Sequence, residues 1–163
     1  MNREQPHVVV LPEDDANRQL ANGFHLQVDW SRQRWLRVLP PANGWTDVLN
    51  LFTSEHASQM DRWPHRLMVL VIDFDNVFEA RLHKVRARIP AHLEERVFVL
   101  GSLSEPEALR KSGLGSYEAI GSAMAKDCRE GNKGIWGDDL LKHNAGELSR
   151  LRQSIVPILF PPA

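Results

Sequence analysis

The sequence predicts an α/β protein, with a mostly parallel sheet of about four strands and helices on both faces. Two observations carry this. The runs His7-Val-Val-Val-Leu-Pro12 and Leu67 to Ile72 are short, rich in β-branched residues and free of alternation, so they read as strands buried on both faces. Between such runs lie stretches with apolar residues at helical spacing. Strand and helix therefore alternate along the chain, which is the order of a Rossmann-like layout. The α/β core is expected over residues 7–110, followed by a helical C-terminal part over residues 117–160, all in one domain spanning residues 1–163.

The first strand, His7 to Pro12, is followed at once by Glu13-Asp14-Asp15 and a helix from Ala16 to Val28. Leu20, Phe24 and Val28 recur every four residues and share one helix face, and Asp14 or Asp15 suits the N-cap. Arg34 to Leu39 reads as the second strand, stopped by Pro40-Pro41 and the turn residues Asn43-Gly44. Trp45 to Trp63 reads as one helix with Val48, Leu49, Phe52, His56 and Met60 on its inner stripe.

The run Leu67 to Ile72 is the central strand and ends abruptly in Asp73 and Asp75. A third helix follows from Val77 to Ile89, with Phe78, Leu82, Val85 and Ile89 inward. Asp75 or Asn76 can cap it, with Glu79 completing a capping box. Arg96 to Leu100 is the fourth strand. Ser104-Glu-Pro-Glu107 has the form of a second capping box, opening a helix through Arg110. After a glycine-containing break, Tyr117 to Arg129 is helical, Glu130 to Gly137 is loop, and Asn144 starts a last helix that packs Leu148, Leu151 and Ile155 inward until Pro157.

Composition narrows the function classes. Hydrophobic residues make up 42% and charged residues 25%, the balance of an ordinary globular protein. No apolar stretch approaches the roughly 18–20 residues of a membrane span, and Met1 to Pro6 contain no apolar leader, so a cytoplasmic protein without membrane contact is expected. The single cysteine, Cys128, excludes an intrachain disulfide and a thiolate metal cluster. The net charge of −1, from 20 basic and 21 acidic residues, argues against autonomous tight binding of nucleic acid. A nucleic-acid role would then use a local basic patch in a transient encounter, or charge borrowed from a partner protein.

The chemistry is expected at the carboxyl edge of the sheet, where open parallel sheets place their ligands. Glu13, Asp73 with Asp75, and Glu105 with Glu107 all follow predicted strands and would share that edge. Strand alternation would aim Asp73 and Asp75 the same way. Carboxylates gathered without compensating lysines suit Mg²⁺ or Mn²⁺, and two such ions clamp the oxygens of a phosphodiester during hydrolysis.

Glu13 in Val-Leu-Pro-Glu-Asp-Asp, together with Asp73 and Asp75 in Val-Ile-Asp-Phe-Asp-Asn, resembles the Toprim pattern of topoisomerases, primases and OLD-type nucleases. The resemblance implies a Mg²⁺- or Mn²⁺-dependent nuclease or phosphodiesterase, with Glu13 as general acid/base or metal residue and Asp73 and Asp75 as metal ligands. Its OLD-like branch implies a further acid after the next strand, Glu105 or Glu107, and a late lysine, Lys142. Small bacterial proteins of this type include members that sit beside an ATPase in defence systems, which implies transient contact with DNA or RNA, an ATPase partner subunit, and possible homo-oligomers.

Each residue also has a plainer reading. Asp14 and Asp15 cap a helix, Glu13 complements a helix N-terminus, and Lys142-His143-Asn144 is solvated loop. Arg81, Lys84 and Arg88 align on one flank of the third helix, either as solvated surface or as a basic track for a nucleic-acid strand. Asp73 is hardest to read as structural, because it extends a buried strand and an unpaired buried carboxylate is costly. The histidines show no zinc spacing, and no phosphate-binding glycine loop is present. The alternative to an enzyme is a non-catalytic α/β binding or regulatory subunit of a larger complex, favoured by the near-neutral charge and the tryptophan-rich first half. A receiver-like domain would need a lysine near a later strand, and Val97 to Ser104 offers none.

Overall fold

Four short apolar strands set the architecture: β1 His7–Pro12, β2 Leu36–Val38, β3 Arg66–Val71 and β4 Val97–Leu100. The computed structural model describes residues 2–162, so Met1 and Ala163, the ends of the expected domain, lie outside the described residues. All pairings are parallel, and the strand order is β2-β1-β3-β4. The fold is thus α/β with a four-stranded parallel sheet, as expected from the sequence.

The lack of alternation in the strands has its reason in two cores. Val8, Val10, Val69, Val71, Phe98 and Leu100 pack on one side with helices α1 (Asp15–Leu26), α6 (Tyr117–Glu130) and α7 (Ala145–Ser154). Val9, Leu11, Met68, Leu70, Val97 and Val99 pack on the other, under α2 (Trp45–Leu51), α3 (Ala57–Arg62) and α4 (Phe78–Ala87). Successive residues of each strand thus enter opposite cores, and both must be apolar. The remaining helices are α5 (Pro106–Lys111) and α8 (Val156–Leu159).

Chain direction across the sheet reverses at β1. The first crossover carries the chain from β1 to β2 on one side, and the second carries it back past β1 to β3. In open α/β sheets ligands bind at such a reversal, outside the carboxyl ends of the two central strands. Those ends carry Glu13 and Asp73.

Two glycines bring α1 and α6 into close contact. A Cβ on Gly23 would sit 2.1 Å from the Glu118 carbonyl oxygen, and one on Gly121 would sit 1.9 Å from that of Leu20. The Ser122 hydroxyl adds a hydrogen bond to the Gly23 carbonyl at 3.0 Å.

Several boundaries differ from the sequence expectation. The second strand keeps only Leu36–Val38, because Gln33–Trp35 winds into a 3₁₀ turn. The helix after Asn43-Gly44 includes a π-helical segment, Phe52–His56, between α2 and α3, yet its expected stripe of Val48, Leu49, Phe52, His56 and Met60 is buried throughout. Ser104 does not cap α5: the N-cap is Glu105, without a side-chain bond, because Pro106 takes the first helical position. Asp75, Asn76 and Glu79 form no capping box, since α4 starts one residue later with Val77 at its N-cap. Gly134–Gly137, expected as loop, is a 3₁₀ turn that buries Trp136. Pro157 does not end the last helical stretch, because it occupies the first turn of α8, where its missing N–H is not needed. Among the described residues, no helix is long and apolar enough to cross a membrane.

Candidate functional site

The acids at the switch point do meet. The Glu13 carboxylate accepts the backbone N–H of Asp73 at 2.6 Å, bridging the ends of β1 and β3. The backbone amide of Trp45, the first residue of α2, also stabilises its charge. Backbone bonds from Asn43 and Gly44 to the Glu13 carbonyl, at 2.7 and 3.1 Å, bring that helix start to Glu13. A negative group at this position complements the helix dipole. Glu13 therefore does complement a helix N-terminus, but that of α2. Its neighbour Asp14 caps α1 by accepting the Asn17 N–H at 2.9 Å.

Asp73 is held by a side chain that sequence reasoning missed. Asn17, fully buried on α1, donates its amide Nδ2 to Asp73 Oδ1 at 3.0 Å. The other amide atom, Asn17 Oδ1, is buried without a hydrogen-bond partner. A readable signal was available. Asn17 stands three residues before Leu20 and seven before Phe24, so a polar residue occupies the inward stripe of an amphipathic helix.

Electrostatics set Asp73 apart. Burial first, and then the nearby charges of Glu13, Asp14 and Glu107, push its carboxyl up to about 7, against the bond from Asn17. Glu13 is raised as well, chiefly by burial and next by Asp14, opposed by the amides it accepts and by Arg81. Acid has been gathered here with little local compensation, the arrangement expected of a group that handles protons or cations.

Arg81 is the basic residue at this edge. Its guanidinium lies 4.5 Å above the Trp45 ring, donates to the Asp73 carbonyl at 2.8 Å and approaches the Asp75 carboxylate at 3.9 Å. Stacking and a fixed carbonyl bond hold the fork in place, and the planar group suits phosphate recognition.

The remaining predicted residues are distributed differently. Asp75 lies beyond β3 in a tight turn, with Val77 N–H bonded to the Phe74 carbonyl at 2.9 Å and positive φ at both Asp75 (49°) and Asn76 (61°). Asp and Asn tolerate this left-handed geometry better than most residues. The Asp75 side chain is 70% exposed and faces Arg81, while Asp73 is half-buried, so the two acids occupy different environments. Glu107 is exposed at the edge and acts on Asp73 through its charge, whereas Glu105 is exposed at the start of α5. Lys142 is exposed and pairs with Asp139 at 3.0 Å. Of the basic track, Lys84 is exposed and Arg88 bonds the side chains of Asn50 and Thr53 at 3.3 Å, so Arg81 alone reaches the acids. Cys128 is buried in α6, and burial raises its thiol to about 11.

The donor set can be tested against a hard cation. Among the described residues, no group of three His, Cys, Asp or Glu side chains is arranged to hold a metal ion. Mg²⁺ commonly binds through one or two carboxylates and keeps several waters. Glu13, Asp73 and the partnerless amide oxygen of Asn17 are oxygen donors of that kind. In donor chemistry, though not as a ready-made cluster of three acids, the set is of the type such an ion takes.

Fold and site together define a doubly wound α/β protein with acidic residues joined at its switch point. No protein-family model, curated protein or solved structure matches the chain.

Proposed function

We propose that this protein is a Toprim-like, Mg²⁺- or Mn²⁺-dependent phosphodiesterase or nuclease, acting at the switch point between β1 and β3 with a partner such as an ATPase. The observation that carries the reading is the junction of Glu13 and Asp73, residues from separate strands joined at 2.6 Å on the sheet edge where ligands of parallel sheets bind. Glu13, Asp73 and Asn17 Oδ1 would hold the cation. Such an ion activates water and neutralises charge on a phosphoryl group. Glu13 also fixes the Asp73 backbone, and Asn17 fixes the Asp73 carboxyl. With its carboxyl near 7 before a cation binds, Asp73 would release its proton on taking the ion, so binding would strengthen as pH rises, and Glu13 would serve as general acid/base or metal residue. Arg81 orients the substrate phosphate from the Trp45 side.

The test is cleavage of plasmid and short single strands in the presence of Mg²⁺ or Mn²⁺, comparing wild type with Asp73→Ala. Metal-dependent cleavage lost in the variant supports the reading. If neither metal supports cleavage, alone or with a cognate ATPase, the enzymatic reading is wrong.

A second reading, a binding or regulatory subunit, draws on exposed apolar surface. Trp30 is 86% and Leu26 is 64% exposed near the end of α1. Single exposed residues need no explanation, but a solvent-facing tryptophan is a common anchor of protein interfaces. A pure scaffold would bind no divalent cation through Asp73.

A further inference from the structure

The loop carrying Asp73 is held by backbone groups at the end of β4. The carbonyls of Leu100, Ser102 and Leu103 accept the N–H groups of Ile72, Phe74 and Asn76 at 3.0, 3.0 and 2.7 Å. These bonds continue beyond the last paired residues, Val71 and Leu100, so the path of the chain after Leu100 sets the position of residues 73–76. The two segments run close together, and a Cβ at Gly101 would lie 1.7 Å from the Ile72 carbonyl oxygen.

That path is fixed from outside the sheet. Asn144, 2% exposed in the 3₁₀ turn Lys142–Asn144, pairs with both backbone groups of Gly101. Its Oδ1 accepts the Gly101 N–H at 3.2 Å, and its Nδ2 donates to the Gly101 carbonyl at 3.0 Å. His143 Nε2 donates to the same carbonyl at 2.7 Å, and Leu103 N–H donates to the Leu140 carbonyl at 2.9 Å. The His143 ring also stands edge-on to Phe74 and Phe78, with centroids 5.3 and 4.8 Å away. A side-chain amide that pairs with both backbone groups of one residue acts as a short extra strand, and it locks Gly101 in one place.

We infer that Asn144, supported by His143, is a positioning residue for the Asp73 loop, and that the helical C-terminal part is thereby a working part of the switch-point site. The inference rests on the reading of that site as a cation site, but its structural half can be measured independently. Residues that orient metal ligands alter affinity by about 10–100-fold when removed.

The experiment compares wild type, Asn144→Ala and Met60→Ala. Met60 is buried on α3 in the core that also holds Phe74 but takes no part in the bonds around Gly101, so its truncation supplies a destabilised control that leaves those bonds in place. Amide hydrogen exchange is followed at Phe74 and Asn76, and Mn²⁺ affinity is read from the electron paramagnetic resonance signal of free Mn²⁺. Asn144→Ala should speed exchange at both amides and weaken Mn²⁺ binding by about tenfold or more. Met60→Ala should do neither selectively. Should Asn144→Ala fail to fold, Asn144→Asp keeps the acceptor for the Gly101 N–H, removes the donor to its carbonyl, and carries the same comparison. Unchanged exchange at Phe74 and Asn76 in a folded Asn144 variant overturns the positioning role, as does unchanged Mn²⁺ affinity. Faster exchange in a protein whose wild type binds no Mn²⁺ upholds the positioning role and overturns the cation site.

Discussion

Glu13 holds Asp73 by its backbone, not by its side chain: the Glu13 carboxylate takes the Asp73 N–H at 2.6 Å, while the Asp73 carboxyl turns to Asn17. Glu13 therefore fixes the backbone of the loop, while the Asp73 carboxyl is held by Asn17. This division of labour leads to separable expectations for the two residues.

Glu13→Ala should destabilise the protein, because the Asp73 N–H at the strand end loses its acceptor and the start of α2 loses a negative neighbour. A lost partner for a buried donor costs about 1–3 kcal/mol. Glu13→Gln retains an acceptor and should recover most of that loss, as read by urea unfolding, while still weakening cation binding through the missing charge.

The contribution of Asp73 to stability should fall as pH rises from about 4 to about 7. The Asp73 carboxyl titrates near 7 when folded and near 3.8 when free, so across this window the folded state binds more protons than the unfolded one. The protonated carboxyl is tolerated at acid pH, and its ionisation destabilises the fold as pH approaches and passes 7. The raised Glu13 carboxyl acts in the same direction. Asp73→Asn should remove most of this slope and stabilise the protein at pH 8, on the order of 1–2 kcal/mol after solvent screening. Unfolding midpoints measured at pH 5 and pH 8 for both proteins check the sign.

Gly121→Ala tests the contact between α1 and α6. Alanine would improve helix propensity by about 1 kcal/mol, but its Cβ meets the Leu20 carbonyl oxygen at 1.9 Å. Overpacking against backbone costs about 1–3 kcal/mol, and backbone cannot swing aside as a flexible side chain can. A lowered melting temperature is the expected result of thermal denaturation followed by circular dichroism.

Lys142→Ala should leave stability within about 0.5 kcal/mol, since the ammonium is exposed and pairs only with exposed Asp139. Its neighbour Asn144 should behave very differently. A chemical-denaturation comparison of the two variants separates a solvated lysine from the buried amide beside it.

The sheet was readable because β1 and β3 are buried on both faces and show it as unbroken apolar runs, and Asp73 stood out because it interrupts the second of these. The helix stripes were readable for a similar reason: Val48, Leu49, Phe52, His56 and Met60 remain buried even though a π-helical segment passes through them. What the local pattern could not show were partnerships made through space. Nothing near Glu13 in the chain announces the start of α2 as its neighbour. Strand alternation aims Asp75 with Asp73, but β3 ends at Val71 and Asp75 lies in the turn beyond it. The polar run Lys142-His143-Asn144 reads as solvated loop, whereas the buried Asn144 amide is committed to Gly101 and Leu141. Asn17 was legible in principle, as the polar intruder on an inward stripe.

The most direct measurement is calorimetric titration of Mg²⁺ or Mn²⁺ into wild type, Glu13→Gln and Asp73→Asn at pH 7.5. The proposed site predicts saturable binding in wild type that is weakened in Glu13→Gln and abolished in a folded Asp73→Asn. Binding that survives unchanged in Asp73→Asn, or wild type that binds neither ion, would contradict it.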